Sequence, residues 1–88
     1  MKERLEIEFS SISKKFLNKC DDNLYNRIMD KIKSLSLEPF PSDAVRIINR
    51  REKVFRARVG DYKIIYAVLK EKNLIFISEV NKRSKVYK

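Results

Sequence analysis

Three basic residues near the middle of the chain have the types and the spacing needed to bind a phosphate group. Arg56 and Arg58 alternate with apolar residues, and Lys63 follows five residues after Arg58. Gly60-Asp61, which contains the only glycine of the chain, lies between them and is a typical two-residue hairpin turn. With that turn, Arg58 lies opposite Lys63, and Arg56 shares their face of the hairpin. Because guanidinium groups are planar forks that bind phosphate oxygens in pairs, the sequence predicts an anion site here.

The opposite face of the same hairpin is apolar and is expected to pack on helices. It carries Phe55, Ala57, Val59, Tyr62, Ile64 and Tyr66. Like charges that lie directly opposite each other reduce the stability of a sheet, so a hairpin that collects its cations on one face is expected to hold an anion there. The inference depends on register, because a shift of one residue would move part of the set to the other face.

The net charge of the chain lies entirely in its second half. Residues 1–45 contain eight Lys or Arg and eight Asp or Glu, whereas residues 46–88 contain thirteen and four, which accounts for the net charge of +9. Such asymmetry is typical of proteins that bind a polyanionic backbone. It also fits a basic surface that only aids solubility.

The composition excludes several classes of site. The chain has no histidine, which rules out Ser-His triads, His-ligated metals and RNA cleavage by paired imidazoles. Its single cysteine, Cys20, excludes an intramolecular disulfide and a Cys-based zinc finger, and no metal or cofactor is predicted. The longest apolar run is six residues, 64–69, whereas a membrane-spanning helix needs about 20. The N-terminus has mixed charge and no apolar core, so we expect a cytoplasmic protein without a membrane partner.

The positions of these residues depend on a small set of predicted elements within one domain. Leu5, Ile7 and Phe9 alternate with glutamates and predict a first strand. Helical spacing then predicts two helices, separated near residues 21–23 and ended before Pro39, which form an antiparallel hairpin. A period of two predicts strands over 54–59, 62–69 and 74–80. The expected fold is α+β, in the order β-α-α-β-β-β, with the helical hairpin packed on a small antiparallel sheet.

Two stretches of the sequence resemble a known protein family. Residues 54–66, VFRARVGDYKIIY, resemble the "yRvRvGdYRiiY" stretch of RelE-family toxins, and residues 79–87, EVNKRSKVY, resemble the closing "vghR..vY" of that family. The order strand-helix-helix and the end of the second helix at Leu37 and Pro39 are also of this type. The resemblance is to the RelE/ParE superfamily, which contains both ribonucleases and the gyrase-inhibiting ParE proteins.

The resemblance implies a single RelE-like domain over residues 1–88, the toxin of a type II toxin-antitoxin system. Such a toxin is an endoribonuclease, or mRNA interferase, that cleaves mRNA in the ribosomal A site and inhibits translation. Cleavage proceeds by attack of the 2′-OH without a metal ion, and the implied partners are a RelB-like antitoxin, the ribosome and mRNA. Carried over position by position, the catalytic residues are Arg56, Arg58, Lys63, Arg83 and Tyr87. The RNA-binding residues expected around them are Arg46, Arg50, Arg51, Lys53, Lys82 and Lys85.

The implied roles follow from the chemistry of the side chains. Arg56 and Arg58 clamp the phosphate, and Arg83 assists the departing 5′-oxygen. Tyr87 stacks on a base or orients the 2′-OH. In well-known ribonuclease members the central strand carries lysines, one of which is the general base, whereas here both positions are arginines. Arginine stays protonated and is a poor base. Lys63 is then the first candidate for the base, with Tyr87 or no protein base as alternatives.

Two rival functions stay open at this point. One is a ParE-like inhibitor that binds DNA gyrase and cleaves nothing, and the other is an RNA-binding module without catalysis. The five-residue site favours the nuclease over the gyrase inhibitor, because an inhibitor of a protein needs no phosphate clamp.

Overall fold

The computed structural model describes residues 4–47 and 53–82. Its elements are β1 (Glu6–Phe9), α1 (Ser11–Asn18), α2 (Asp22–Leu37), β2 (Val45–Arg46), β3 (Val54–Val59), β4 (Tyr62–Leu69), a 3₁₀ turn (Lys70–Lys72) and β5 (Leu74–Lys82). The α+β fold and the order of the predicted elements are confirmed. No helix in the described part of the chain is long and apolar enough to cross a membrane.

Capping side chains and prolines set the bounds of the two helices. The Ser10 hydroxyl accepts a hydrogen bond from the backbone N–H of Ser13 at 3.1 Å and begins α1. The Asp21 carboxylate accepts one from the N–H of Leu24 at 2.8 Å and begins α2. Helix α2 ends at Leu37 because Pro39 disfavours helical geometry at the residue before it.

The sheet has the strand order β1-β5-β4-β3-β2 and differs from the expectation in two respects. Strand β1 pairs parallel with β5, so the sheet is mixed although its other pairs are antiparallel. Strand β2 is an additional edge strand that the sequence did not predict. Two residues are too few to show a period of two, and alternation within β1 does not reveal which distant strand it joins.

The core lies between the two helices and one face of the sheet, which we call the helix face. From α2 it contains Ile28, Ile32 and Leu35, all fully buried. The sheet contributes a larger set of buried residues, among them Ala57, Ile64, Tyr66, Ile75, Ile77 and Val80. The apolar face predicted for the hairpin therefore packs where expected, and its opposite, which we call the outer face, carries the cations.

Candidate functional site

The hairpin formed by β3 and β4 has the register that the sequence predicts. Arg58 pairs with Lys63 and Arg56 pairs with Ile65, around a turn at Gly60 and Asp61. Gly60 has φ +56°, a left-handed backbone conformation that residues with a Cβ rarely adopt. Arg56, Arg58 and Lys63 therefore lie together on the outer face, and we call them the cationic cluster.

The cationic cluster is accessible and its arginines are not neutralised by acidic neighbours. The Arg58 side chain is exposed, and Arg56 and Lys63 are partly exposed. Neither arginine side chain forms an ion pair or a hydrogen bond with another residue in the ranges 4–47 and 53–82. Their guanidinium groups are therefore available to an anion without first breaking an internal contact.

A β-bulge in β5 decides which residues join this cluster on the outer face. Glu79 pairs with Ile65, but the next residue of β4, Tyr66, pairs with Ile77, so Ser78 is left over. The extra residue shifts the alternation of the strand by one. As a result Val80 points into the core, whereas Glu79 and Asn81 lie on the outer face.

The start of α1 holds this bulge in place. The Ser10 hydroxyl donates to the carbonyl oxygen of Ser78 at 2.7 Å, and the Ser13 hydroxyl donates to the carbonyl oxygen of Ile77 at 3.0 Å. The backbone N–H of Ser10 also donates to the Ile77 carbonyl oxygen, at 3.0 Å. Since Ser13 is fully buried, these bonds link the helix start to the irregular part of the strand within the interior.

Glu79 and Asn81 form a side-chain pair at the edge of the cationic cluster. Asn81 lies opposite Lys63, and its Nδ2 donates a hydrogen bond to the carboxylate of Glu79. An ionised carboxylate only accepts, so the amide nitrogen must face Glu79 and the Asn81 Oδ1 faces away. That Oδ1 is buried and receives no hydrogen bond from any described residue.

Glu79 and Asn81 were not among the predicted site residues. Glu79 is the only acidic residue that β3, β4 and β5 place on the outer face. The sequence does contain a signal, because Glu79 is one of four acidic residues in the basic second half. Its face was not predictable, however, since uninterrupted alternation from Ile75 and Ile77 would put residue 79 in the core.

The other predicted RNA-binding residues that the structure describes lie away from the outer face of the cluster. Lys82 pairs with Tyr62 and Arg46 pairs with Phe55, so both lie on the helix face, at exposed positions near the sheet margins. Lys53 is exposed and precedes β3, beside Leu69 and at the end of the hairpin remote from the turn. Lys82 alone of these three lies at the turn end of the sheet, on the face opposite to Arg58.

The remaining predicted residues fall outside the described ranges. They are Arg50, Arg51, Arg83, Lys85 and Tyr87. The structure thus places three of the five predicted catalytic residues and brings those three together. Within residues 4–47 and 53–82, no three or more His, Cys, Asp or Glu side chains form a group that could hold a metal ion.

The sequence and the fold are both similar to those of known toxins. The model of one family, described as "ParE toxin of type II toxin-antitoxin system, parDE", matches residues 7–87. No curated protein sequence matches the chain.

Three solved structures illustrate the similarity of the fold. The RelE-RelB complex of Pyrococcus horikoshii OT3 has 24% identity and a TM-score of 0.81, covering 96% of this chain and 100% of that chain. The isolated Escherichia coli RelE toxin has 15% identity and a TM-score of 0.80, with coverages of 93% and 87%. The RelB-RelE complex of Methanococcus jannaschii has 25% identity and a TM-score of 0.67, with coverages of 86% and 90%.

Proposed function

The chain belongs to the ParE toxin family of type II toxin-antitoxin systems, within the RelE/ParE superfamily, and we propose that it is a ribosome-dependent endoribonuclease that cleaves mRNA in the ribosomal A site. Cleavage of translated mRNA would inhibit translation, and a protein with this activity would act in the cytoplasm. The observation that carries this proposal is the cationic cluster, whose Arg56 and Arg58 are unpaired and share one accessible face with Lys63.

The proposed reaction uses a group that RNA itself supplies. The 2′-oxygen attacks the neighbouring phosphorus in line with the departing 5′-oxygen, and negative charge grows on the phosphorane oxygens. Cations fixed beside these oxygens stabilise the transition state more than the ground state. Arg56 and Arg58 supply two such cations, and Lys63 supplies a third.

Arg83 and Tyr87 complete the proposed site from outside the described residues. Arg83 is proposed to act on the departing 5′-oxygen, and Tyr87 to stack on a base or to orient the 2′-OH. Lys82, a proposed contact of the RNA backbone, lies at the turn end of the sheet on the face opposite to the cluster, so it would have to reach the RNA from the sheet margin.

An antitoxin is the proposed protein partner. The structures from Pyrococcus horikoshii and Methanococcus jannaschii are complexes of RelE with RelB. A RelB-like antitoxin of this chain would neutralise a basic surface, so its binding is expected to weaken with salt.

The family match supports a second candidate function, a ParE-like inhibitor of DNA gyrase. Such a protein would act through contacts with another protein and would not need the unpaired arginines of the cluster. The two candidates therefore differ in the activity that each predicts and in the effect of removing those arginines.

Cleavage in a purified translation system tests the proposal. Primer extension on translated and untranslated copies of one mRNA should show cuts only in the translated copy, at positions in frame with the codons. The double variant Arg56→Ala with Arg58→Ala should lower the rate at least 100-fold, because two phosphate contacts are lost. The matched control, Lys14→Ala with Lys15→Ala, removes two exposed cations of α1 and should cut at the unchanged rate. Intact mRNA together with inhibited supercoiling by gyrase would overturn the nuclease in favour of the second candidate.

A further inference from the structure

We propose that Glu79 is the general base of the cleavage step, and that Asn81 is a positioning residue that holds its carboxylate. The proposal rests on the proposed function, because it assigns the group that takes the proton of the attacking 2′-OH. It is carried by the placement of the Glu79–Asn81 pair on the outer face, beside the cationic cluster.

The position of Glu79 suits a group that reaches the sugar beside a bound phosphate. It lies diagonally across from Lys63 in the sheet, at a separation of about 7–8 Å that long side chains bridge. Arg56 lies in the same row as Glu79, two strand spacings or about 10 Å away, with Ile65 between them. A phosphate held by the cluster therefore has a carboxylate on its β5 side.

A carboxylate at this position is costly for a surface that only binds RNA. It repels the phosphate that the cations attract, and it does not serve to neutralise them, since Glu79 forms no ion pair with a described Lys or Arg. A role in proton transfer accounts for the presence of this single acidic group among the cations. The two arginines of the cluster cannot fill that role, because a guanidinium stays protonated.

The contact with Asn81 orients the base. Its Nδ2 engages one oxygen of the Glu79 carboxylate, which leaves the other oxygen to accept the proton. In this orientation the buried Asn81 Oδ1 has no donor among the described residues, which is costly for a buried polar atom.

In the proposed step, Glu79 takes the proton of the attacking 2′-hydroxyl. The 2′-O–H bond breaks and its proton moves to the free carboxylate oxygen of Glu79, while the 2′-oxygen forms a bond to phosphorus. The bond between phosphorus and the 5′-oxygen breaks, and its electron pair leaves with that oxygen, which takes a proton from water. The products are a 2′,3′-cyclic phosphate and a 5′-hydroxyl, and Glu79 returns its proton to the solvent.

Single-turnover cleavage on programmed ribosomes tests both residues. Glu79→Gln keeps the shape of the side chain and should lower the maximal rate about 100-fold or more, the usual contribution of a general base, with ribosome affinity unchanged or tighter. The rate of this variant should rise about tenfold per pH unit above neutrality, because hydroxide must then remove the proton. The matched control is Glu8→Gln, an exposed carboxylate of β1 on the same outer face, which should cleave at the wild-type rate.

Asn81→Ala tests the positioning role. With toxin in excess over ribosomes, we expect the maximal rate to fall about tenfold while the half-saturating toxin concentration stays constant. A general loss of folding would instead raise that concentration, because only the folded fraction of the toxin binds. Wild-type cleavage by Glu79→Gln would overturn the assignment of the base and leave the proposed function intact. Intact mRNA with the wild-type protein would overturn both.

Discussion

Arg58 lies directly opposite Lys63 across the β3–β4 hairpin, on the outer face. The next pair of the ladder, Ala57 and Ile64, is fully buried on the helix face. Two positive charges in this arrangement repel each other across the strand pair. The hairpin therefore gives up some stability at the point where we propose that it binds phosphate.

Replacing Arg58 by glutamate should exchange that repulsion for attraction. We expect Arg58→Glu to raise the free energy of unfolding by about 0.5 kcal/mol and to abolish mRNA cleavage. Urea unfolding and primer extension measure the two effects. Arg46→Glu, at an exposed position of β2 opposite Phe55, is the control and should not stabilise. A less stable Arg58→Glu, or one that still cleaves, would contradict this interpretation.

Gly60 is required by the backbone of the hairpin turn. Its φ is +56°, and a Cβ there would lie 2.6 Å from the Arg27 Nη2. We expect Gly60→Ala to cost about 1–2 kcal/mol of unfolding free energy, and Gly60→Asn less, because asparagine tolerates this conformation.

Two causes could require glycine at position 60, the close contact with Arg27 and the positive φ, and a variant of Arg27 separates them. Its guanidinium is the end of a flexible, exposed side chain, so the close approach is relieved cheaply whereas the backbone strain is not. Thermal unfolding of Gly60→Ala in an Arg27→Ala background should show most of the original loss. Full recovery in that background would show that the contact, and not the backbone, requires glycine.

The hydroxyl of Tyr66 ties the sheet to the segment that follows α2. Tyr66 is fully buried and donates a hydrogen bond to the carbonyl oxygen of Pro39 at 2.7 Å. We expect Tyr66→Phe to reduce the free energy of unfolding by about 1–2 kcal/mol, because the partly buried Pro39 carbonyl oxygen loses its donor. Tyr25→Phe changes a more exposed ring and should cost less than about 0.5 kcal/mol in the same urea titration.

The same tyrosine should make the protein sensitive to alkali. Burial, with a smaller contribution from the charge of Asp43, raises the pKa of Tyr66 to about 12. An unfolded tyrosine titrates near pH 10, so the neutral phenol stabilises the fold fully below about pH 10, and this stability is lost as the pH rises towards 12. The urea midpoint should therefore fall more steeply between pH 10 and 12 in the wild type than in Tyr66→Phe. Parallel curves would show that Tyr66 does not titrate in this window.

Ser10 should matter more than its place at a helix start suggests. Its hydroxyl accepts from the Ser13 N–H and donates to the Ser78 carbonyl oxygen in the bulge. We expect Ser10→Ala to cost about 1–2 kcal/mol in urea unfolding and to slow cleavage, because the bulge places Glu79 on the outer face. Ser11→Ala, at the adjacent exposed position, should change neither quantity appreciably. Equal effects of the two substitutions would show that the bulge does not depend on Ser10.

The sequence alone determined the helical hairpin, the three later strands and the register of β3 on β4. These features are encoded locally, since Asp21, Pro39 and Gly60 act on the backbone next to them, and alternation then decides the face of each neighbour. The cationic cluster was predictable for the same reason, because one tight turn suffices to bring Arg58 opposite Lys63.

The tertiary structure alone decided the parallel pairing of β1 with β5, the short strand β2 and the surroundings of Glu79. Each depends on contacts between residues far apart in the chain, such as the bond from Ser10 to the Ser78 carbonyl, which spans 68 positions. One extra residue in β5 reverses which side chains face the core, and the local pattern cannot show where that residue falls. The cationic cluster was thus predictable from the sequence, whereas the carboxylate of Glu79 beside it is placed by a bulge that long-range packing stabilises.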